Sequence, residues 1–212
     1  MWEELAAYQH IIMANGASPV HEIPIGLLKR ASQIICCDGA VSKLLDLGFQ
    51  PDAIIGDGDS ISTPHKKQFE TIFHEDTDPE YNDLNKALNY AHSRHIDKIA
   101  LLGASGLRED HMLANLGIMT MFAEEKKMDL IMVTDYGVFS PVFSTAKFNS
   151  YPGQQISIFS FDPATELTFH QLKYPVRKRA FRYLWEGSLN EAVSDSFTVE
   201  FDKGKVMVYR NF

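Results

Sequence analysis

The chain has 212 residues, 45% of them hydrophobic and 23% charged, a composition that buries a substantial core in one large domain or two small ones and excludes a disordered polymer. Acidic residues outnumber basic ones, 28 to 20, for a net charge of -8; this excludes a general nucleic-acid surface, because phosphate backbones demand a cationic face, although a local basic pocket stays compatible. The start Met1-Trp2-Glu3-Glu4 lacks the basic opening and apolar run of a secretory leader, and no apolar stretch reaches the roughly 20 residues of a spanning helix, so the expectation is a cytoplasmic protein with neither membrane nor nucleic acid as partner.

In chain order, residues 10–14 read as a strand, 24–32 as a helix, 33–37 as a second strand and 41–47 as a short helix. Further apolar runs at 53–56, 71–74, 98–102 and 130–134 each adjoin a helical pattern, the clearest at 82–92. These runs are continuously apolar rather than alternating, as befits strands covered on both faces by helices. An α/β domain with a parallel sheet and helices on both faces follows. The only two cysteines, Cys36 and Cys37, are neighbours on one such strand and point to opposite faces. They make poor disulfide partners and read as small buried apolar residues.

After Asp135 the texture changes to short strands between Gly, Pro and Asp punctuation, at 155–161, 165–169, 181–185, 196–201 and 205–209. The last two, joined by Asp202-Lys203-Gly204, read as a hairpin. The expected organisation is an α/β domain over 1–140 followed by a small antiparallel β-sandwich domain over 150–212, with the boundary near 140–152.

Asp38 follows one predicted strand directly, and Asp57 and Asp59 follow another, which places three carboxylates at the carboxyl edge of a parallel sheet, where ligands bind in open α/β folds. Such carboxylates repel one another unless a cation intervenes, and oxygen-only donors suit a hard ion such as magnesium. An isolated Asp-Gly-Asp is more often a plain turn; the company of Asp38, Asp83 and Lys86 argues otherwise. On the helix at 82–92, spacing of three puts Asp83 and Lys86 on one face, for which a surface ion pair is the plainer reading.

The stretch Gly103-Ala104-Ser105-Gly106-Leu107-Arg108-Glu109-Asp110-His111 runs from a strand through a loop into a helix that includes Asn115. Its backbone N–H groups and Arg108 suit an anion, while Asp110 alone would simply cap the helix. Neither a P-loop nor a dinucleotide fingerprint occurs in the chain.

Taken together, these residues resemble the thiamine pyrophosphokinase family. Asp38-Gly39-Ala40, Leu47-Gly48-Phe49-Gln50-Pro51-Asp52 and Gly56-Asp57-Gly58-Asp59-Ser60-Ile61 match family motifs in order and spacing, as do Asn82-Asp83-Leu84-Asn85-Lys86-Ala87-Leu88 and Gly106-Leu107-Arg108-Glu109-Asp110-His111-Met112-Leu113-Ala114-Asn115. Farther on, Leu172-Lys173-Tyr174-Pro175 and Gly187-Ser188-Leu189-Asn190-Glu191 resemble its second-domain segments. Departures are Ala40 for Gly, Gly58 for Phe, Asn82 for Thr, Leu189 for Ser and Pro79-Glu80 for Gln-Asp, with Trp185 crowding the stretch before Gly187.

The resemblance implies transfer of the β,γ-pyrophosphoryl unit of ATP to thiamine, giving thiamine diphosphate and AMP. It implies magnesium on Asp57, Asp59 and Asp83 with Asp38 nearby, and phosphates on Lys86 and Arg108. Asn82, Asp110, His111 and Asn115 would shape the nucleotide side, and Ser188 and Asn190 would contact thiamine across a homodimer. Asp59 or Asp83 would assist removal of the hydroxyl proton. A diphosphokinase for another alcohol such as a pterin, a magnesium-dependent phosphohydrolase and a non-catalytic sensor are the competing readings.

Overall fold

The structure, a computed structural model, describes residues 2–212; Met1, with which the reading of the N-terminus begins, lies outside the described residues. Two compact units make up the chain, Trp2–Asp135 and Tyr136–Phe212.

The first unit runs α1 (Trp2–Leu5), β1 (His10–Met13), α2 (Glu22–Arg30), β2 (Gln33–Cys37), a 3-10 turn (Asp38–Ala40) that flows into α3 (Val41–Asp46), β3 (Ala53–Gly56), α4 (Thr63–Gln68), β4 (Phe73–Glu75), α5 (Asp83–Ser93), β5 (Lys98–Leu102), α6 (Glu109–Glu125) and β6 (Asp129–Val133). Its strands lie in the order β6-β5-β1-β2-β3-β4, every neighbouring pair parallel. In β1, β2, β3, β5 and β6 consecutive residues are buried, so both faces of the sheet are covered, the condition under which strands read as unbroken apolar runs. Helix α5 packs on β1, β2 and β3 through Leu84, Ala87, Leu88 and Ala91. The order reverses at β1, which has β2 on one side and β5 on the other, and this topological switch opens a crevice beyond the carboxyl ends of β1 and β5.

Two elements of this unit differ from expectation. The strand expected at 71–74 begins only at Phe73. Helix α4 went unread, although Ser62 accepts a hydrogen bond from the His65 N–H at 3.4 Å and Pro64 follows at the helix start, a recognised N-terminal signature.

The second unit runs β7 (Gly137–Val142), β8 (Ala146–Asn149), β9 (Gln155–Ser160), β10 (Glu166–His170), β11 (Arg179–Ala180), a 3-10 turn (Leu184–Gly187), β12 (Asn190–Glu191), β13 (Ser196–Glu200) and β14 (Val206–Asn211). These strands pair antiparallel in two groups, β12-β9-β14-β7 and β11-β10-β13-β8. Alternate residues of β9, β10 and β13 are buried and meet in one core with Phe148, Phe181, Val206 and Val208. Strands β7 and β8 therefore belong to this unit, ahead of or within the boundary expected at 140–152; Pro141 weakens the strand signal of 137–142.

Two expectations for this unit fail. The strand at 181–185 is instead a turn, because one Glu186 carboxylate oxygen accepts hydrogen bonds from the Arg182 and Tyr183 N–H groups at 2.6 and 2.9 Å and bends the backbone around itself. The Asp202-Lys203-Gly204 stretch closes no hairpin: β13 pairs with β8 and β10, whereas β14 pairs with β7 and β9, so the chain crosses from one sheet to the other. A hairpin signal reports a reversal of direction, not the sheet in which the next strand finds its partner.

Phe197, fully buried, stacks on Phe148 at 5.2 Å between ring centroids. Phe197→Ala is expected to cost the second unit about 3–5 kcal/mol, read as a lower urea midpoint at unchanged slope.

Candidate active site

The parallel register of β2 and β3 sets Cys37 opposite Ile55, so the residues that follow, Asp38 and Gly56, leave the sheet side by side. Asp38 is 1% exposed. One of its oxygens accepts the Gly58 N–H at 2.8 Å, while Oδ1 is buried and has no hydrogen-bond partner among the described residues. Gly58 adopts φ +80, a left-handed turn open to glycine at no steric cost, and it swings Asp57 and Asp59 back toward Asp38. One oxygen from each of Asp38, Asp57 and Asp59 falls within 4.8 Å of the others. Asp57 accepts the Asp59 N–H at 3.1 Å, which holds its carboxyl below the usual range, and Ser60 Oγ donates to Asp59 at 2.7 Å. Three convergent carboxylates, one of them buried and with an oxygen that lacks a donor, are a donor set that fits a hard divalent cation such as magnesium.

Helix α5 delivers the next groups. Asn82 caps it by accepting the Asn85 N–H at 3.0 Å, and this directs Asp83 and Lys86 toward the acidic cluster. The Asp83 carboxyl is pushed up to about 7 because burial strips water from it and the Asp38 charge opposes its ionisation, against the pull of the Lys86 ammonium. Lys86 is 3% exposed and its Nζ lies 3.9 Å from an Asp57 oxygen. It is therefore a buried cation facing the cluster, not half of a surface pair with Asp83. Asp83 stands beside the convergent trio and is not part of it.

Beyond the switch point lies a cavity of about 330 Å³. Asn15 and Gly16 line it from the end of β1, Ser105 from the end of β5, and Asp83, Arg108 and His111 from the helices around it. The two loops are knitted by hydrogen bonds from the Ala14 N–H to the Leu102 carbonyl at 2.8 Å and from the Ala17 N–H to the Ser105 carbonyl at 2.8 Å. Gly16 is obligatory there, since a Cβ would strike the Gly103 and Ser105 carbonyl oxygens. Asn115 also lines the cavity, its Nδ2 donating to the Ala104 carbonyl at 2.9 Å and so holding the β5 loop. Arg108 is turned onto Asp110 through two hydrogen bonds, at 3.1 and 2.5 Å, and that pairing draws the Asp110 carboxyl down to about 2. Both are exposed. Asn15 and Gly16 went unread in the sequence; the signal available was an Asn-Gly pair directly after the strand that the topology makes central.

Ser188 and Asn190 belong to the second unit. Asn190 is buried, accepting the Tyr174 N–H at 3.0 Å and donating to the Tyr174 carbonyl at 2.8 Å. Ser188 Oγ donates to the Trp185 carbonyl at 2.6 Å. Both side chains shape their own loop, leaving Tyr174, Trp185 and Leu189 exposed around it.

Residues 26–132 match the family model described as thiamin pyrophosphokinase, catalytic domain, and residues 137–209 match the model for its substrate-binding domain. The chain is 26% identical over 186 residues to the thiamine pyrophosphokinase of Bacillus subtilis, covering 82% of this chain and 85% of that protein. Among solved structures, the Bacillus subtilis thiamine pyrophosphokinase superposes with a TM-score of 0.82 at 22% identity, covering 95% of this chain and 98% of that one. The yeast thiamin pyrophosphokinase does so with a TM-score of 0.83 at 14% identity, covering 99% and 90%. At these identities the superpositions establish a shared fold.

A Cβ at Gly56 would lie 2.5 Å from Asp38 Cγ. Gly56→Ala is expected to displace that carboxylate and weaken binding of a divalent ion about 10- to 100-fold, measured by manganese titration with electron paramagnetic resonance, while far-ultraviolet circular dichroism stays unchanged.

Proposed function

The chain belongs to the thiamin pyrophosphokinase family, enzymes that make thiamine diphosphate, and from that premise we propose that it transfers the β,γ-pyrophosphoryl unit of ATP to the hydroxyethyl group of thiamine and releases AMP. The observation that carries this reading is the convergence of Asp38, Asp57 and Asp59 within 4.8 Å beside the buried Lys86, at the edge of the switch-point cavity. The family and its relatives lend no support to a pterin alcohol or water as the acceptor, or to a non-catalytic sensor.

Pyrophosphoryl transfer asks for charge neutralisation and in-line alignment more than for covalent catalysis. A magnesium ion held by Asp57 and Asp59, with Asp38 and neighbouring Asp83 completing its surroundings, would neutralise the phosphate oxygens. Lys86, anchored by burial, offers a fixed ammonium to the transferring group. Arg108 exchanges its exposed partner Asp110 for phosphate oxygens, a fork-to-anion contact that a guanidinium makes with two donors. Asn82, His111 and Asn115 order the walls of the nucleotide side. As the thiamine oxygen bonds to the β-phosphorus and the bridge to the α-phosphorus breaks, the hydroxyl proton passes to a carboxylate oxygen of Asp83. Asp83, beside the convergent trio and not within it, is better placed for this than Asp59, which is bonded to Ser60 and turned to the cluster.

We assign the ATP and magnesium site to the first unit and thiamine binding to the second, where the loop built by Ser188 and Asn190 presents Trp185 and Leu189. The exposed Tyr174, Tyr183, Trp185, Leu189 and Val193, of which Tyr183 and Trp185 stack on each other, support a homodimer formed through this unit, because large apolar groups in water favour a partner. The cytoplasm, where ATP is supplied, is the proposed compartment; among the described residues no helix is long and apolar enough to cross a membrane.

Purified protein given ATP, magnesium and thiamine should yield AMP and thiamine diphosphate in equal amounts, and no inorganic phosphate when thiamine is omitted. Absence of AMP above background would overturn the reading. Asp83→Asn should lower kcat about 10²- to 10⁴-fold while ATP binding, followed by calorimetry, is retained.

A further inference from the structure

Lys43 lies on α3, one turn beyond the 3-10 turn that contains Asp38. Its Nζ donates to the Asn15 carbonyl at 2.8 Å and to the Gly16 carbonyl at 2.6 Å. Both acceptors belong to the loop after β1 that lines the switch-point cavity. The N–H groups of that loop are already committed to the β5 loop, Gly16 to the Gly103 carbonyl and Ala17 to the Ser105 carbonyl. Its carbonyls therefore have to be satisfied from the other side, and Lys43 is the group that does so.

The same side of the loop meets the acidic cluster. The Asn15 amide presses against Gly39, so closely that a Cβ at Gly39 would strike Asn15 Nδ2, and Ser60 lies next to it. Lys43 thus ties the element bearing Asp38 to the loop at the nucleotide side of the cavity. The tie is made of two charge-assisted hydrogen bonds, which are stronger than neutral ones. No carboxylate among the described residues pairs with Lys43 within 4.0 Å, so its charge acts on backbone dipoles and on whatever anion the cavity takes. Partial burial lowers its pKa, which fits an ammonium packed into a wall, not one extended into water.

We propose that Lys43 is a positioning residue for nucleotide binding, holding the Asn15-Gly16 loop open at the switch point and against the Asp38 turn, without itself taking part in pyrophosphoryl transfer. The inference rests on the reading that ATP occupies this cavity. Loss of the tie frees the Asn15-Gly16 loop that lines the cavity, so the effect falls on ATP affinity. The acidic cluster is held by the register of β2 and β3 and keeps its place without the tie, so chemistry proceeds once the nucleotide is bound.

The test is binding of a fluorescent N-methylanthraniloyl ATP to the full-length protein with magnesium, together with steady-state kinetics. Lys43→Met should weaken binding about tenfold or more and raise KM for ATP in proportion, with kcat and KM for thiamine close to wild type. Lys43→Arg, which keeps a cationic donor, should recover most of the affinity. Should Lys43→Met fail to fold, as judged by its melting transition, Lys43→Gln, able to reach one carbonyl without charge, decides the matter by the same ATP-specific loss. Variants that bind the nucleotide as tightly as wild type, or that lose kcat with KM unchanged, would overturn the assignment of Lys43 alone. A wild-type protein that does not bind the analogue would overturn the ATP reading and this inference together.

Discussion

Parallel pairing of β2 with β3 is the constraint from which the site follows. With Cys37 held opposite Ile55, Asp38 and the Gly56-Asp57-Gly58-Asp59 turn leave the sheet at the same level, and three carboxylates arrive in a space where unbalanced charge is costly. Everything nearby answers that charge. The Gly58 N–H satisfies one oxygen of Asp38, Lys86 is buried against Asp57, and Asp83 holds its proton toward neutrality. A hard cation would neutralise the charge that remains on such a cluster.

A second consequence of the same sheet is the crevice. Because β1 sits between β2 and β5, the connections on its two sides diverge and leave a cavity adjoining the acidic edge. The cavity lined by Arg108 and the three-carboxylate cluster thus share one edge of the sheet, in a sequence with neither a P-loop nor a dinucleotide fingerprint. The loops there are kept in place by backbone hydrogen bonds, by Asn115 and by Lys43. These contacts explain why short polar residues at strand ends matter here as much as the carboxylates do.

Legibility in the sequence followed the physics of burial. The strands at 33–37, 53–56 and 98–102 read off directly, since strands covered on both faces are unbroken apolar runs and little else in a chain looks like them. The 181–185 segment misled, because Phe181 is buried like a strand residue while Glu186, within the 3-10 turn that follows, bends the backbone away. The Asp202-Lys203-Gly204 turn misled for a related reason: local turn chemistry says nothing about which sheet the next strand joins. Arg108 and Asp110 were visible as charged residues, yet their mutual pairing depends on a helix start that brings them face to face.

By itself the sequence determined the alternation of strands and helices, the change to antiparallel strands after Asp135, and the family motifs that carry Asp38, Asp57, Asp59, Asp83, Lys86 and Arg108. These depend on composition and spacing along the chain. Only the tertiary structure decided that Asp38 converges with Asp57 and Asp59 while Asp83 stands beside them, and that Lys86 is buried and not at the surface. It alone tied Lys43 to Asn15 and Gly16, residues 28 and 27 positions away. The reason is that convergence is set by strand register and order. Two side chains distant in sequence meet when the sheet brings their backbones level, and no local pattern encodes that meeting.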